Sequence, residues 1–126
     1  MMLALALAGG VLGGCGEDTK GSTGSVTLTA RQPLAIEGFE YGFKPGDITF
    51  RTGGESARVR MDLTNTGSLP HDVHVRRGDE DLGGTKAVGG GKEATATVNL
   101  APGDYELFCS IGDHADLGMT ADLKVK

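Results

Sequence analysis

Over Ala57–Asn65 apolar and polar residues alternate without interruption. Val59, Met61 and Leu63 fall on one side of an extended chain, and Arg58, Arg60 and Asp62 on the other. Successive side chains of a strand point to opposite faces, so this period of two specifies a half-buried strand rather than an amphipathic helix. The pattern recurs over Glu93–Leu100, where Ala94, Ala96, Val98 and Leu100 oppose Thr95, Thr97 and Asn99. It recurs again over Met119–Val125, where Met119, Ala121, Leu123 and Val125 oppose Thr120, Asp122 and Lys124. Shorter candidates are Val26–Ala30, Leu34–Glu37, Ile48–Arg51, Val73–Arg76 and Tyr105–Cys109. Turn-forming runs separate them, such as Lys44-Pro45-Gly46-Asp47, Thr66-Gly67-Ser68 and Ala101-Pro102-Gly103-Asp104. No stretch sustains a helical apolar period, and glycine supplies 22 of the 126 residues, which favours many short strands. Seven to eight such strands are expected to pack as an all-β, antiparallel sandwich. Residues 77–92, rich in Gly and charge, read as a surface excursion rather than a core strand.

The first 14 residues carry no charge and form an apolar run ending at Gly13-Gly14-Cys15. The run is too short to span a hydrocarbon core as a helix, which takes about 20 residues. It reads as a signal peptide over 1–14 with a small-residue cleavage site. Leu12-Gly13-Gly14-Cys15 resembles a bacterial lipobox, although no Lys or Arg precedes the apolar run. This makes Cys15 the candidate lipidation site. Residues 15–25, polar and rich in Gly and Ser, read as a flexible linker with a reach on the order of 16–19 Å. One domain is expected over 26–126. The formal net charge of -5 argues against nucleic acid as a partner, because phosphate binding takes clustered Lys and Arg. With Cys15 committed to lipid, Cys109 is the single remaining thiol. An isolated thiol in an oxidising compartment is a liability unless a metal or a buried site holds it.

Cys109, His114 and Met119 lie within eleven residues, four intervening residues separating each pair. Thiolate, imidazole and thioether are the donors that soft and borderline metals prefer. Two imidazoles and a thiolate with a weak axial thioether define an electron-transfer copper centre, and a second imidazole must come from His71 or His74. Strand phase separates these two. His71 is in phase with the apolar Val73 and Val75, whereas His74 shares its face with Asp72 and Arg76. Cys109 is in phase with Tyr105 and Leu107, and Met119 with Ala121, Leu123 and Val125. A structural zinc site built from His71, His74, Cys109 and His114 is the competitor; it requires the 71–74 segment to turn.

Asn65-Thr-Gly-Ser-Leu-Pro70-His71-Asp72-Val73, then Leu100-Ala-Pro102-Gly103-Asp-Tyr105-Glu-Leu-Phe-Cys109 with the following His114 and Met119, resembles the plastocyanin/azurin family of cupredoxins. The resemblance runs from about Leu34 onward. It implies a cupredoxin-like Greek-key β-sandwich with one type 1 copper at one end, bound by His71, Cys109, His114 and Met119. Where many members carry Asn after the first His ligand, this chain has Asp72. A carboxylate there can accept hydrogen bonds from the backbone or Ser110 but cannot donate when ionised. Azurin also carries a disulfide, for which this chain has no cysteines.

The expected function is extracytoplasmic one-electron transfer by a monomer. Its partner is a redox protein such as a cytochrome or a membrane oxidase or reductase. Ile111, Ala115 and Leu117 are expected to surround the edge of His114, with Asp113 and Asp116 steering a basic partner. The alternative is a copper carrier or chaperone module without an electron-transfer role, and a metal-free interaction module is a further rival. Enzymatic activity is not expected, since four ligands leave no open coordination position. The lipid on Cys15 is expected to hold the domain at the outer face of the cytoplasmic membrane or at a periplasmic membrane face.

Overall fold

The structure, a computed structural model, describes residues 21–126. The signal segment 1–14, Cys15 and the linker as far as Lys20 lie outside the described residues. Ten strands follow in chain order: β1 (Ser25–Thr29), β2 (Leu34–Phe39), β3 (Gly42–Lys44), β4 (Asp47–Arg51), β5 (Ala57–Asn65), β6 (His74–Arg77), β7 (Glu80–Gly84), β8 (Glu93–Leu100), β9 (Gly103–Phe108) and β10 (Thr120–Val125). They form two sheets, one ordered β1-β4-β10-β9-β6-β7 and the other β3-β2-β5-β8. The described chain is all-β, with a cupredoxin-like fold.

β5 and β8 coincide with the alternating segments read from the sequence. Val59, Met61 and Leu63 are buried, while Arg58 and Arg60 are exposed. The inward faces of both sheets interdigitate into one core, in which Phe43, Ile48, Phe50, Leu107 and Leu123 are fully buried. Each such side chain contributes ~1.5–3 kcal/mol on leaving water. A core of this extent removes the need for a disulfide, and Cys109 is free.

Three features differ from the sequence expectation. The sandwich is mixed rather than antiparallel, because β1 pairs parallel with β4, β4 with β10, and β2 with β5. Alternation is the same for either strand direction, so it carries no information on polarity. β3 is a further short strand, antiparallel to β2. The 77–92 segment contains β7, which pairs with β6 across a register shift at Val75/Arg76 and forms the sheet edge. β7 is only partly buried and contains Gly83 and Gly84, so it lacks an alternating signature. A side chain at Gly84 would meet the Val73 carbonyl at 2.3 Å and the His74 ring at 2.5 Å; the chain passes over β6 only because this position is bare.

The described part of the expected linker is anchored to the sandwich. Ser22 Oγ donates to the Thr120 carbonyl and accepts from the Phe43 amide, and the Thr23 amide donates to the Phe43 carbonyl. The chain is therefore fixed to the domain from about Gly21, and β1 begins at Ser25.

Candidate metal centre

Three connections meet at one end of the sandwich: β5–β6, β9–β10 and the β2–β3 turn. β5–β6 carries His71. Its course is set by Asn65, which continues the inward phase of Val59, Met61 and Leu63 and is fully buried. A buried amide must be satisfied. Asn65 Nδ2 donates to the carbonyls of Leu69 and Val88, both at 2.8 Å, and its Oδ1 accepts from the Gly67 amide at 2.9 Å. His71 itself bridges Val88 by two backbone hydrogen bonds, N–H to O at 3.1 Å and O to N–H at 2.9 Å. The role of Asn65 is foreshadowed by its strand phase, a signal the sequence analysis leaves unused.

The β9–β10 connection carries Cys109, His114 and Met119. A series of turns brings it back on itself. The Met119 amide donates to the His114 carbonyl and the Cys109 amide to the Met119 carbonyl, at 3.1 and 3.2 Å. All four sequence-predicted ligands are buried, His71 and Met119 fully, Cys109 at 1% exposure and His114 at 8%. His71, Cys109 and His114 place one ligand atom each within 4.8 Å of one another. Cys109 Sγ lies 3.5 Å from His114 Nδ1 and 4.0 Å from His71 Nδ1. Metal–sulfur and metal–nitrogen bonds of ~2.3 and ~2.0 Å at near-trigonal angles put S and N ~3.6–3.8 Å apart, by the ligand distances of a borderline first-row ion. The donor set thus matches a single ion in both chemistry and spacing. Met119 is fully buried, and its backbone is hydrogen-bonded to His114 and Cys109.

His74 is not part of it. Its Nδ1 lies 2.9 Å from Asp81 Oδ2, and its Nε2 lies 3.1 Å from the Thr85 carbonyl and 3.5 Å from Asp72 Oδ2, so both ring nitrogens are engaged. The ring is partly covered by Phe108 at 5.8 Å rather than fully solvent-facing.

Asp72 ties the two ligand connections together. One carboxylate oxygen accepts from the Ser110 amide at 2.7 Å and the other from the Ser110 hydroxyl. Both bonds require only an acceptor, so a carboxylate serves here. Burial pushes the Cys109 thiol above its ordinary value, opposed by backbone hydrogen bonds from Asp72 and Ile111. Burial also pushes His71 below its ordinary value, opposed by Glu40. A neutral imidazole is the form that binds a metal.

The β2–β3 turn contributes two groups that no motif marks. Glu40 Oε1 lies 3.0 Å from His71 Nε2. The Tyr41 ring is tilted against His114 with centroids 5.1 Å apart, the same spacing that separates the rings of His71 and His114. Both contacts join residues more than 30 positions apart, and nothing local in the sequence points to them.

No protein-family model matches the chain, and no curated protein sequence matches it. Solved structures do. Dithionite-reduced auracyanin from the photosynthetic bacterium Roseiflexus castenholzii superposes with a TM-score of 0.61 at 20% identity, covering 75% of this chain and 96% of that one. Auracyanin B superposes with a TM-score of 0.67 at 17% identity, covering 77% and 89%. At such identities the likeness establishes the shared fold.

Proposed function

We propose that this chain is an extracytoplasmic one-electron carrier of the plastocyanin/azurin type, with one type 1 copper held by His71, Cys109, His114 and Met119. The observation that carries the proposal is the convergence of two imidazole nitrogens and a thiol sulfur, all buried, within 4.8 Å. The reduced state named for one structural neighbour is in keeping with a redox role. The bound ion would supply one-electron exchange between Cu(I) and Cu(II). The chain's own part is to hold the donors still. The Asp72–Ser110 bonds lock the two ligand connections, and Asn65 fixes the approach to His71. Rigid donors mean little rearrangement when the charge changes, which suits a carrier.

Burial favours this function over that of a copper carrier or chaperone, because proposed ligands at 0–8% exposure give an exchanging partner little access. The engagement of His74 elsewhere disfavours the four-ligand zinc site. Four proposed ligands leave no position for a substrate, so catalysis is not proposed.

The exposed large apolar side chains among the described residues are Leu69 and Leu117, two positions before His71 and three after His114. With half-buried Ile111 and Ala115 they offer an apolar rim, flanked by exposed Asp113 and Asp116. Such a face suits a redox protein, a cytochrome or a membrane oxidase or reductase, that brings a basic edge. We place the chain, as a monomer, at an extracytoplasmic membrane face through lipid on Cys15. Adding Cu(II) to the soluble domain tests the centre: an intense thiolate-to-copper visible band is expected, and Cys109→Ser should abolish it while the sandwich stays folded. A strong band that persists in Cys109→Ser contradicts the ligand assignment.

A further inference from the structure

The ligand set above needs nothing from the β2–β3 turn, yet that turn aims a carboxylate at the back of one ligand. Glu40 Oε1 lies 2.8 Å from the Ser68 amide, 2.6 Å from the Leu69 amide and 3.0 Å from His71 Nε2. The carboxylate is packed against Gly67, where an added side chain would meet both of its oxygens at 2.5–2.6 Å. Two backbone amides converging on one oxygen is an arrangement for an ionised carboxylate, which only accepts.

We propose that Glu40 is a positioning residue, which fixes His71 as the Nε2–H tautomer and places a negative charge behind the ring that favours the oxidised ion. The tautomer follows from proton counting. An ionised carboxylate has no proton to give, so Nε2 must donate to it. A neutral imidazole has one N–H, so Nδ1 carries the lone pair. Nδ1 is the nitrogen that lies 4.0 Å from Cys109 Sγ. Glu40 thus presents the correct atom to the ion, and the same oxygen caps the Ser68–Leu69 backbone that leads into His71. Carboxylate–histidine pairs of this kind orient the ring and raise its basicity, and losing one typically costs 10–100-fold in metal affinity. The charge acts separately from the geometry. A fixed anion stabilises Cu(II) over Cu(I), and so lowers the potential.

This role rests on the copper centre proposed above, and two variants of the full chain separate the two. Glu40→Gln keeps an acceptor oxygen and removes the charge. It should keep the visible band while shifting the Cu(II)/Cu(I) preference about tenfold toward Cu(I), a rise of about 59 mV for one electron. Glu40→Ala removes both functions. Nitrogen NMR of the His71 ring in the metal-free protein should show the Nε2–H tautomer in the wild type and in Glu40→Gln, and a mixture in Glu40→Ala. An unchanged or lowered potential in Glu40→Gln overturns the charge effect. An unchanged tautomer in Glu40→Ala overturns the positioning. If the wild type itself shows no thiolate-to-copper band, the copper centre is refuted instead, and the metal-free tautomer measurement alone then decides whether Glu40 positions His71.

Discussion

Cys109 and His71 are displaced in opposite directions by the same cause. Burial disfavours the thiolate of one and the imidazolium of the other. Each has a consequence for the stability of the metal-free protein. Cys109 binds its proton more tightly in the folded state than at its ordinary value of 9.0. Its stabilising contribution is therefore complete below 9.0 and is lost as pH rises through the raised folded value. His71 binds its proton less tightly when folded than at its ordinary value of 6.5. Its contribution is present above 6.5 and is lost as pH falls through the lowered folded value. Denaturation midpoints of the metal-free domain should thus form a plateau between 6.5 and 9.0 and decline on both sides. Cys109→Ser should flatten the alkaline decline. A midpoint that rises above pH 9.0 in the wild type would show that the thiolate is stabilised in the fold, contrary to its surroundings. Of the proposed ligands, Cys109 and Met119 are legible in the sequence because each is a rare donor type beside a strand end with a definite phase, and His114 because it falls midway between them. Glu40 is not, because one glutamate among many carries no mark until the β2–β3 turn is seen to lie behind His71.

At the scale of the strand, legibility follows burial on a single face. β5, β8 and β10 have one face inward and one outward, so period two is written into them. β3 and β7 are short, lie at sheet edges and carry few inward residues, so their composition reads as turn. Strand polarity is invisible for a different reason. It is set by where the connections cross over, and a crossing leaves no local pattern. β5 is the strand whose loss the fold can least accommodate. It runs between β2 and β8, and Leu63 on its inner face is 1% exposed. Leu63→Ala should cost ~2–5 kcal/mol in denaturant unfolding, the usual range for a buried leucine whose cavity does not collapse. Arg60→Ala on the outer face of the same strand removes an exposed pair with Asp62 and should change stability by no more than ~0.5 kcal/mol. Equal effects from the two would mean that β5 is not core on the face its alternation indicates.

For the molecule as a whole, what matters is where the chain enters the sandwich. Ser22 is hydrogen-bonded to the Thr120 carbonyl, one residue beyond Met119, and Gly21 packs against the backbone of Tyr41, whose ring lies on His114. From Gly21 the chain therefore joins the domain at the end that carries His71, Cys109 and His114, beside the β2–β3 turn. From Cys15 to Gly21 is six residue steps. Six steps reach at most ~20–22 Å even when fully extended. A lipid on Cys15 would thus keep the metal end within a short distance of the bilayer, and a redox partner would have to be embedded in or bound to the same membrane. Acyl chains contribute about 0.8 kcal/mol per buried methylene, so stable anchoring takes more than one chain, as a lipidated N-terminal cysteine would carry. Fractionation of cells expressing the full chain tests this directly. The wild type should be recovered with membranes and released by detergent but not by salt, whereas Cys15→Ala should move to the soluble extracytoplasmic fraction or remain with its signal segment uncleaved. Equal recovery of both proteins in the soluble extracytoplasmic fraction would refute the anchor, and with it the confinement of the metal end to the membrane surface.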